Sequence, residues 1–180
     1  IHEYLRRLKG NRLANQMRDK LTQRLIRLYE HTSSENWPWF EEILAYDNAK
    51  LSHALLLSAQ CCPEEKALDI GLRSLRWLIQ IQTAEGGHFR PIGSEGWYPR
   101  EGVKANYDQQ PILVHANVSA CLEAFRATED KYWLDQARNI FEWFLGRNDL
   151  GSMVYDSTTG GCRDALQVDR LSQNQGAEST

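Results

Sequence analysis

Three acids stand where chemistry could be done. Asp47 lies in Tyr-Asp-Asn, Asp108 in Tyr-Asp-Gln-Gln, and Glu178 in Asn-Gln-Gly-Ala-Glu. Each follows an aromatic or glycine-rich stretch and stands at or near the predicted start of a helix. Asp47 and Asp108 are 61 residues apart, and Gln175, in the third unit, is 67 beyond Asp108. Two carboxylates facing one pocket can do general acid–base work on a bond between them. One donates a proton to the leaving group, and the other activates water or attacks directly. The same positions suit helix capping, where an acid binds free backbone N–H groups and favours the dipole. Glu178 is placed one turn inside its helix, where capping explains it less well.

The neighbours of these acids fit hydroxyl recognition. Tyr46 and Tyr107 precede two of them, and Gln109, Gln110 and Gln175 add amides that both donate and accept. Trp37, Trp97 and Tyr98 offer flat apolar faces for a ligand, with packing between helices as the alternative. Trp133 and Phe141 fall on a helix stripe and are expected in the core. His88, beside Arg90 in "GGHFRP", is a further rim candidate. His53 and His115 occupy near-equivalent places in their units. No second His follows at ligand spacing, and the cysteines lack zinc-site pairing, so no metal and no cofactor is expected. Asp149, Arg163 and Asp164 read as ion pairs that brace loops.

Composition narrows the partners. The 180 residues are 42% hydrophobic, enough for a packed core. Net charge is −3, so no basic face for nucleic acid is implied. No apolar run approaches the ~18 residues of a membrane span. Ile1 to Lys9 is charged from the start, and no signal peptide is visible. Cys61 and Cys62 are adjacent, which suits buried thiols. A reduced, cytoplasmic chain is expected.

The elements that must position these residues are helices. Leu13, Met17, Leu21, Leu25 and Leu28 mark a first helix over Asn11 to Glu30. A second runs from Asp47 or Asn48 to about Gln60. Pro63 opens a third, with Leu68, Leu72, Leu75 and Ile79 on one face. After a long loop from Thr83 to about Gln109, Pro111 opens a fourth helix to Ala127. A fifth spans about Asp130 to Leu145 and stops at Gly146. No convincing strand appears, although "GSMVYDSTTGGC" suits a short hairpin. The second and fourth helices are poor in charge, and their partners are amphipathic. Such hairpins cannot bury their faces alone and must stack. The predicted fold is all-α, helical hairpins of an (α/α) toroid, forming one domain over residues 1–180. A closed ring of six or seven hairpins needs roughly 360 to 450 residues, so a portion of a larger ring is expected. "NQGAEST" reads as the start of the next inner helix. Self-association, or a missing remainder of the toroid, follows from that reading.

The run "GWYPREGVKANYDQQPILVHANVSACLEAFRATEDKYWLDQARNIFEWFLGRNDLGSMVYDSTTGGCRDAL", followed by "NQGAEST", resembles the C-terminal α/α-toroid domain of bacterial mannosyltransferase-like glycosyltransferases. The resemblance covers about Trp37 to Thr180. "WPWFEEILAYDNAKL" is similar, more loosely, to the six-hairpin glycosidase and sugar epimerase superfamily. These resemblances imply a carbohydrate-active domain whose partner is an oligosaccharide or glycan. One reading is a glycoside hydrolase or phosphorylase using Asp108, Glu178 and Asp47. Another is a noncatalytic carbohydrate-binding or scaffold domain of a glycosyltransferase. An epimerase relative would need two catalytic histidines among His53, His88 and His115. No glycine-rich phosphate loop opens a βα unit here, so transferase chemistry is not expected of these residues.

Overall fold

The computed structural model describes residues 1–8, 10–61 and 65–176. The order is α1 (His2–Arg7), α2 (Arg12–Thr32), β1 (Ile43–Leu44), α3 (Ala49–Cys61), α4 (Glu65–Ile81), β2 (Tyr98–Pro99), α5 (Pro111–Thr128) and α6 (Lys131–Phe141). A 3₁₀ turn over Glu142–Leu145 extends α6 and ends at Gly146, whose φ of 102° is the left-handed stop. The start signals act as their chemistry dictates. The Asn11 side chain accepts from Ala14 N at 3.0 Å, and that of Asp130 from Tyr132 N at 2.9 Å.

The fold is all-α and toroid-like. α3 pairs with α4, α5 pairs with α6, and α3 packs on α5 as an inner layer. Small residues allow this close approach. The Ser52 and Ser74 hydroxyls meet at 2.8 Å between α3 and α4, and Gly71 of α4 sits against Leu56. α5 is buried on most sides by Leu113, Val114, Ala116, Ala120, Cys121 and Ala124. α4 and α6 bury one stripe each and form the outer layer. Arg76 of α4 lies over the rings of Tyr132 and Trp133 of α6, 4.2 and 5.0 Å from their centroids.

The inner helices run parallel and nearly in step. Gln60, near the end of α3, bonds Glu123, twelve residues after Pro111. Lys50 at the head of α3 shares one cleft with Pro111 and Ile112 at the head of α5. The expected common end for the two helix starts is therefore present. Asn174 and Gln175 join a loop whose Gly160 and Cys162 line the same cleft.

Three expectations change. A two-residue antiparallel pair exists, Ile43 opposite Pro99 and Leu44 opposite Tyr98, closing the long loop against the segment before α3. The α2 stripe is reversed: Thr22, Ile26 and Tyr29 are buried, while Leu13, Met17, Leu21 and Leu28 face solvent. Phe141 is 51% exposed, because the α6 core stripe runs through Trp133, Ala137 and Ile140 instead. Pro63, proposed to open the third helix, and Ala177 to Thr180 lie outside the described residues. Tyr155 and Cys162 pair as the "GSMVYDSTTGGC" hairpin predicts. Among the described residues no helix is long and apolar enough to cross a membrane.

Candidate functional site

The rim at the heads of the inner helices is built by backbone pairing. The turn from Gly93 to Trp97 lies against residues 105–108. Gly93 N donates to Ala105 O at 2.8 Å, Ser94 N to Asp108 O at 3.0 Å, and Glu95 N to Tyr107 O at 3.0 Å. The approach is so close that only glycine fits at 93. A Cβ there would stand 2.0 Å from Tyr107 O. The peptide between Tyr107 and Asp108 is cis.

This arrangement places Asp108 at the rim with its backbone fixed. Gln110 occupies the capping position of α5, and no side chain caps that helix. Asp108 stands two residues earlier, so capping is not its part. Among the described residues its carboxylate, half-buried, has no hydrogen-bond or ion-pair partner. Asp47 stands before α3 with φ at 53°, and its carbonyl accepts from Lys50 N. Asn48, buried, ties its amide to Ala45 O. Glu178 lies outside the described residues. Glu95, exposed and paired through its backbone with the residue before Asp108, is an acid the repeat argument passed over. Its signal is an acid between two glycines in "GSEG", a loop position with no core to serve.

A second cluster underlies the rim. The Asp149 carboxylate, its side chain 5% exposed, meets Arg90 through both Nε and Nη2, at 2.6–3.0 Å. It also meets His88 Nε2 at 2.7 Å and Gln109 Nε2 at 2.6 Å. The Gln109 carbonyl oxygen accepts from the Trp143 indole at 2.8 Å, and its backbone pairs with Leu166 in both directions. The hub therefore fastens four separate segments at one point. Burial opposes ionisation of Asp149, but the bonds from Arg90, His88 and Gln109 outweigh it and hold the pKa below the usual carboxylate value.

That balance makes a prediction about stability. Asp149→Ala leaves Arg90 and His88 facing a vacated, mostly buried anion site. With Arg90 29% exposed and partly solvated, the expected loss is about 2–3 kcal/mol. A carboxyl whose folded pKa is depressed stabilises the fold above its unfolded pKa, about 3.9, and loses that contribution as pH falls through the lower folded value. Thermal melts between neutral and strongly acid pH should therefore show wild type losing stability in acid, with a flatter profile for the variant.

The expected substrate-binding residues separate into two groups. Trp37 is 3% exposed, donates its indole N–H to Glu41 O at 2.7 Å, and packs edge-on against Trp77 and Tyr98. It belongs to the core, not to a platform, because β1 and β2 close over that loop. Gln109 is fully buried, and its amide is saturated by Asp149, Trp143 and Asn106 O. Both are corrections to the rim assignment. His88 is tied to the Asp149 hub. Gln175 bonds Asp156 and Thr159. Tyr46 is 49% exposed, while Trp97, Tyr98, Tyr107 and Gln110 are half-buried. The structure gathers Tyr107, Asp108 and Gln110 at the head of α5, and Tyr46 and Asp47 before α3.

The large cleft beside the rim, about 720 Å³, is of another character. Its walls are mostly Ile112, Val118, Phe141, Phe144 and Leu145, with Lys50 and His115 at one side. Such walls suit an apolar occupant better than a hydroxylated one. Among the described residues no group of three His, Cys, Asp or Glu is placed to hold a metal ion.

No protein-family model matches the chain, and no curated protein does. Among solved structures it is similar to a glycoside hydrolase family 76 mannosidase from Bacteroides thetaiotaomicron VPI-5482. The TM-score is 0.56 at 16% identity, over 72% of this chain and 34% of that one. The chain thus spans about a third of the length of that structure. At this identity the likeness concerns the fold.

Proposed function

We propose that the rim at the heads of α3 and α5 binds an oligosaccharide and acts on it as a glycosidase does, with Asp108 as the principal acid. The observation that carries this reading is the Asp108 carboxylate. It is held at the rim by the Gly93–Trp97 turn, does not cap α5, and has no partner among the described residues. A carboxylate fixed at the rim through its backbone, with no partner of its own, fits a ligand contact better than a structural one. The second carboxylate comes from its flanks, Asp47 before α3 or Glu95 on the paired turn. Single Asp47→Asn and Glu95→Gln variants separate the two. Tyr107 and Gln110 recognise hydroxyls, and Trp97 or Tyr98 offers a partial stacking face. The fold likeness to a mannosidase makes manno-oligosaccharides the first ligands to try, with gluco-oligosaccharides as the comparison.

A noncatalytic glycan-binding domain, of the kind attached to glycosyltransferases, is the second reading. The half-buried state of Trp97 and Tyr98, which limits stacking, favours weak binding over tight substrate distortion. Calorimetry with both sugar series, run beside an assay for reducing ends, decides between them. Heat without new reducing ends selects the binding module, and no heat with either series removes both readings.

A further inference from the structure

Gln109 cannot reach a ligand. It is fully buried, and both ends of its side-chain amide are in use. It is nevertheless the residue next to Asp108, and it belongs to the mount that holds Asp108. That mount has two walls. One is the Gly93–Trp97 turn, where Ser94 N donates to Asp108 O and Glu95 N to Tyr107 O, each at 3.0 Å. The other is the bridge to residue 166. Gln109 N donates to Leu166 O, and Leu166 N to Gln109 O, both at 2.9 Å. These bonds fix the Asp108 backbone against two loops. Sites carried by loops are less exact than sites on helices unless a further layer of contacts holds them.

Both walls lead back to one buried carboxylate. His88 and Arg90 bond Asp149, and Arg90 stands three residues ahead of Gly93, so the chain entering the turn is tied down. Gln109 Nε2 bonds the same carboxylate at 2.6 Å, one residue after Asp108. Trp143, fully buried in the turn that extends α6, donates to the other end of the Gln109 amide. Asp149 is itself sealed from solvent, so it acts on the rim through these neighbours.

We propose that Asp149 and Gln109 are positioning residues for Asp108, their contact setting where the Asp108 carboxylate stands at the rim. The effect on a sugar rests on the glycan-site reading of Asp108, but the positioning does not.

The test follows the Asp108 carboxyl carbon by carbon-13 NMR in the full chain labelled at aspartate, with Asp108→Asn to assign its signal. Gln109→Met removes the amide at nearly constant size and charge, so a change at Asp108 reports geometry and not a lost charge. Gln109→Asn, shorter by one methylene, is the milder variant should the first not fold. In each folded variant the Asp108 titration midpoint should shift by about 0.5 in pH or more, about threefold in proton affinity. Asp47, at the head of the other inner helix, should keep its own. Where wild type binds manno-oligosaccharide in calorimetry, the variants should bind about fivefold more weakly, the worth of one hydroxyl hydrogen bond. An Asp108 midpoint unchanged in the folded variants overturns the proposal. So does one that moves together with that of Asp47, the mark of general loosening, and so does an unchanged affinity beside a wild type that binds. A wild type that binds neither sugar series removes the glycan reading, and the Asp108 titration then decides the positioning by itself.

Discussion

Asp108→Asn should lower any glycoside-hydrolysing rate by about 10²–10⁴-fold, the range that general acid–base groups contribute. An amide has nearly the shape of the carboxylate but cannot trade a proton or carry the negative charge. Because Asp108 neither caps α5 nor meets a partner among the described residues, the same change should leave stability within about 0.5 kcal/mol. Binding of oligosaccharide should persist, since the amide still donates and accepts. Asp108→Ala should lose binding as well, by about 1 kcal/mol for each hydroxyl contact removed. Thermal melts, calorimetry and reducing-end assays on both variants check this. If Asp108→Asn melts well below wild type and turnover is untouched, the carboxylate is structural and the proposed site is wrong.

Gly93→Ala should be the most damaging of the glycine-to-alanine changes. The added Cβ would stand 2.0 Å from Tyr107 O, 2.2 Å from Tyr107 N and 2.4 Å from Tyr107 C. All three are backbone atoms, so no rotamer change relieves the clash. The two segments are also pinned to each other, by Gly93 N on Ala105 O and by Ala105 N on Trp97 O. The turn and the 105–108 segment must separate, at a cost of about 3 kcal/mol or more. For a chain of this size that is a fall of about 6–12 °C in Tm. Asp108 would move with Tyr107, so sugar binding should be lost in the folded fraction too. Gly87→Ala is the control: its Cβ meets nothing within 4 Å, and only its φ of 78° is strained. It should cost about 1 kcal/mol and spare binding.

Much of the fold was legible because period and punctuation agree. Charge-poor α3 and α5 read as inner helices and are buried on several sides, and Pro111, Asp130 and Gly146 mark real boundaries. The face of α2 was not legible. It carries two apolar stripes, one through Ile26 and Tyr29 and one through Leu13, Met17 and Leu21, and periodicity cannot say which has a neighbour. The site was legible in part. The repeat drew attention to Asp108, but it could not show that Trp37 sinks beneath a two-strand pair or that Gln109 is consumed by Asp149, 40 residues away. Such contacts depend on loop closure, and loop sequences hold no period to reveal it. The pairing of Glu95 with the residue before Asp108 was hidden for the same reason.

The parallel alignment of α3 and α5 has an electrical consequence. Each helix sums its peptide dipoles into roughly half a positive charge at its first turn. Side by side and in step, the two present like poles at one end of the inner layer, an arrangement that repels itself. Asp47 and Asp108 stand just ahead of those poles. The rim is therefore a small field with a definite polarity. A ligand bearing a uronate or phosphate would be drawn toward the helix heads and contend with the acids. An amino sugar would prefer the acids and meet the helix heads with the wrong sign. Neutral sugars would feel neither, and would be oriented by hydroxyl geometry alone.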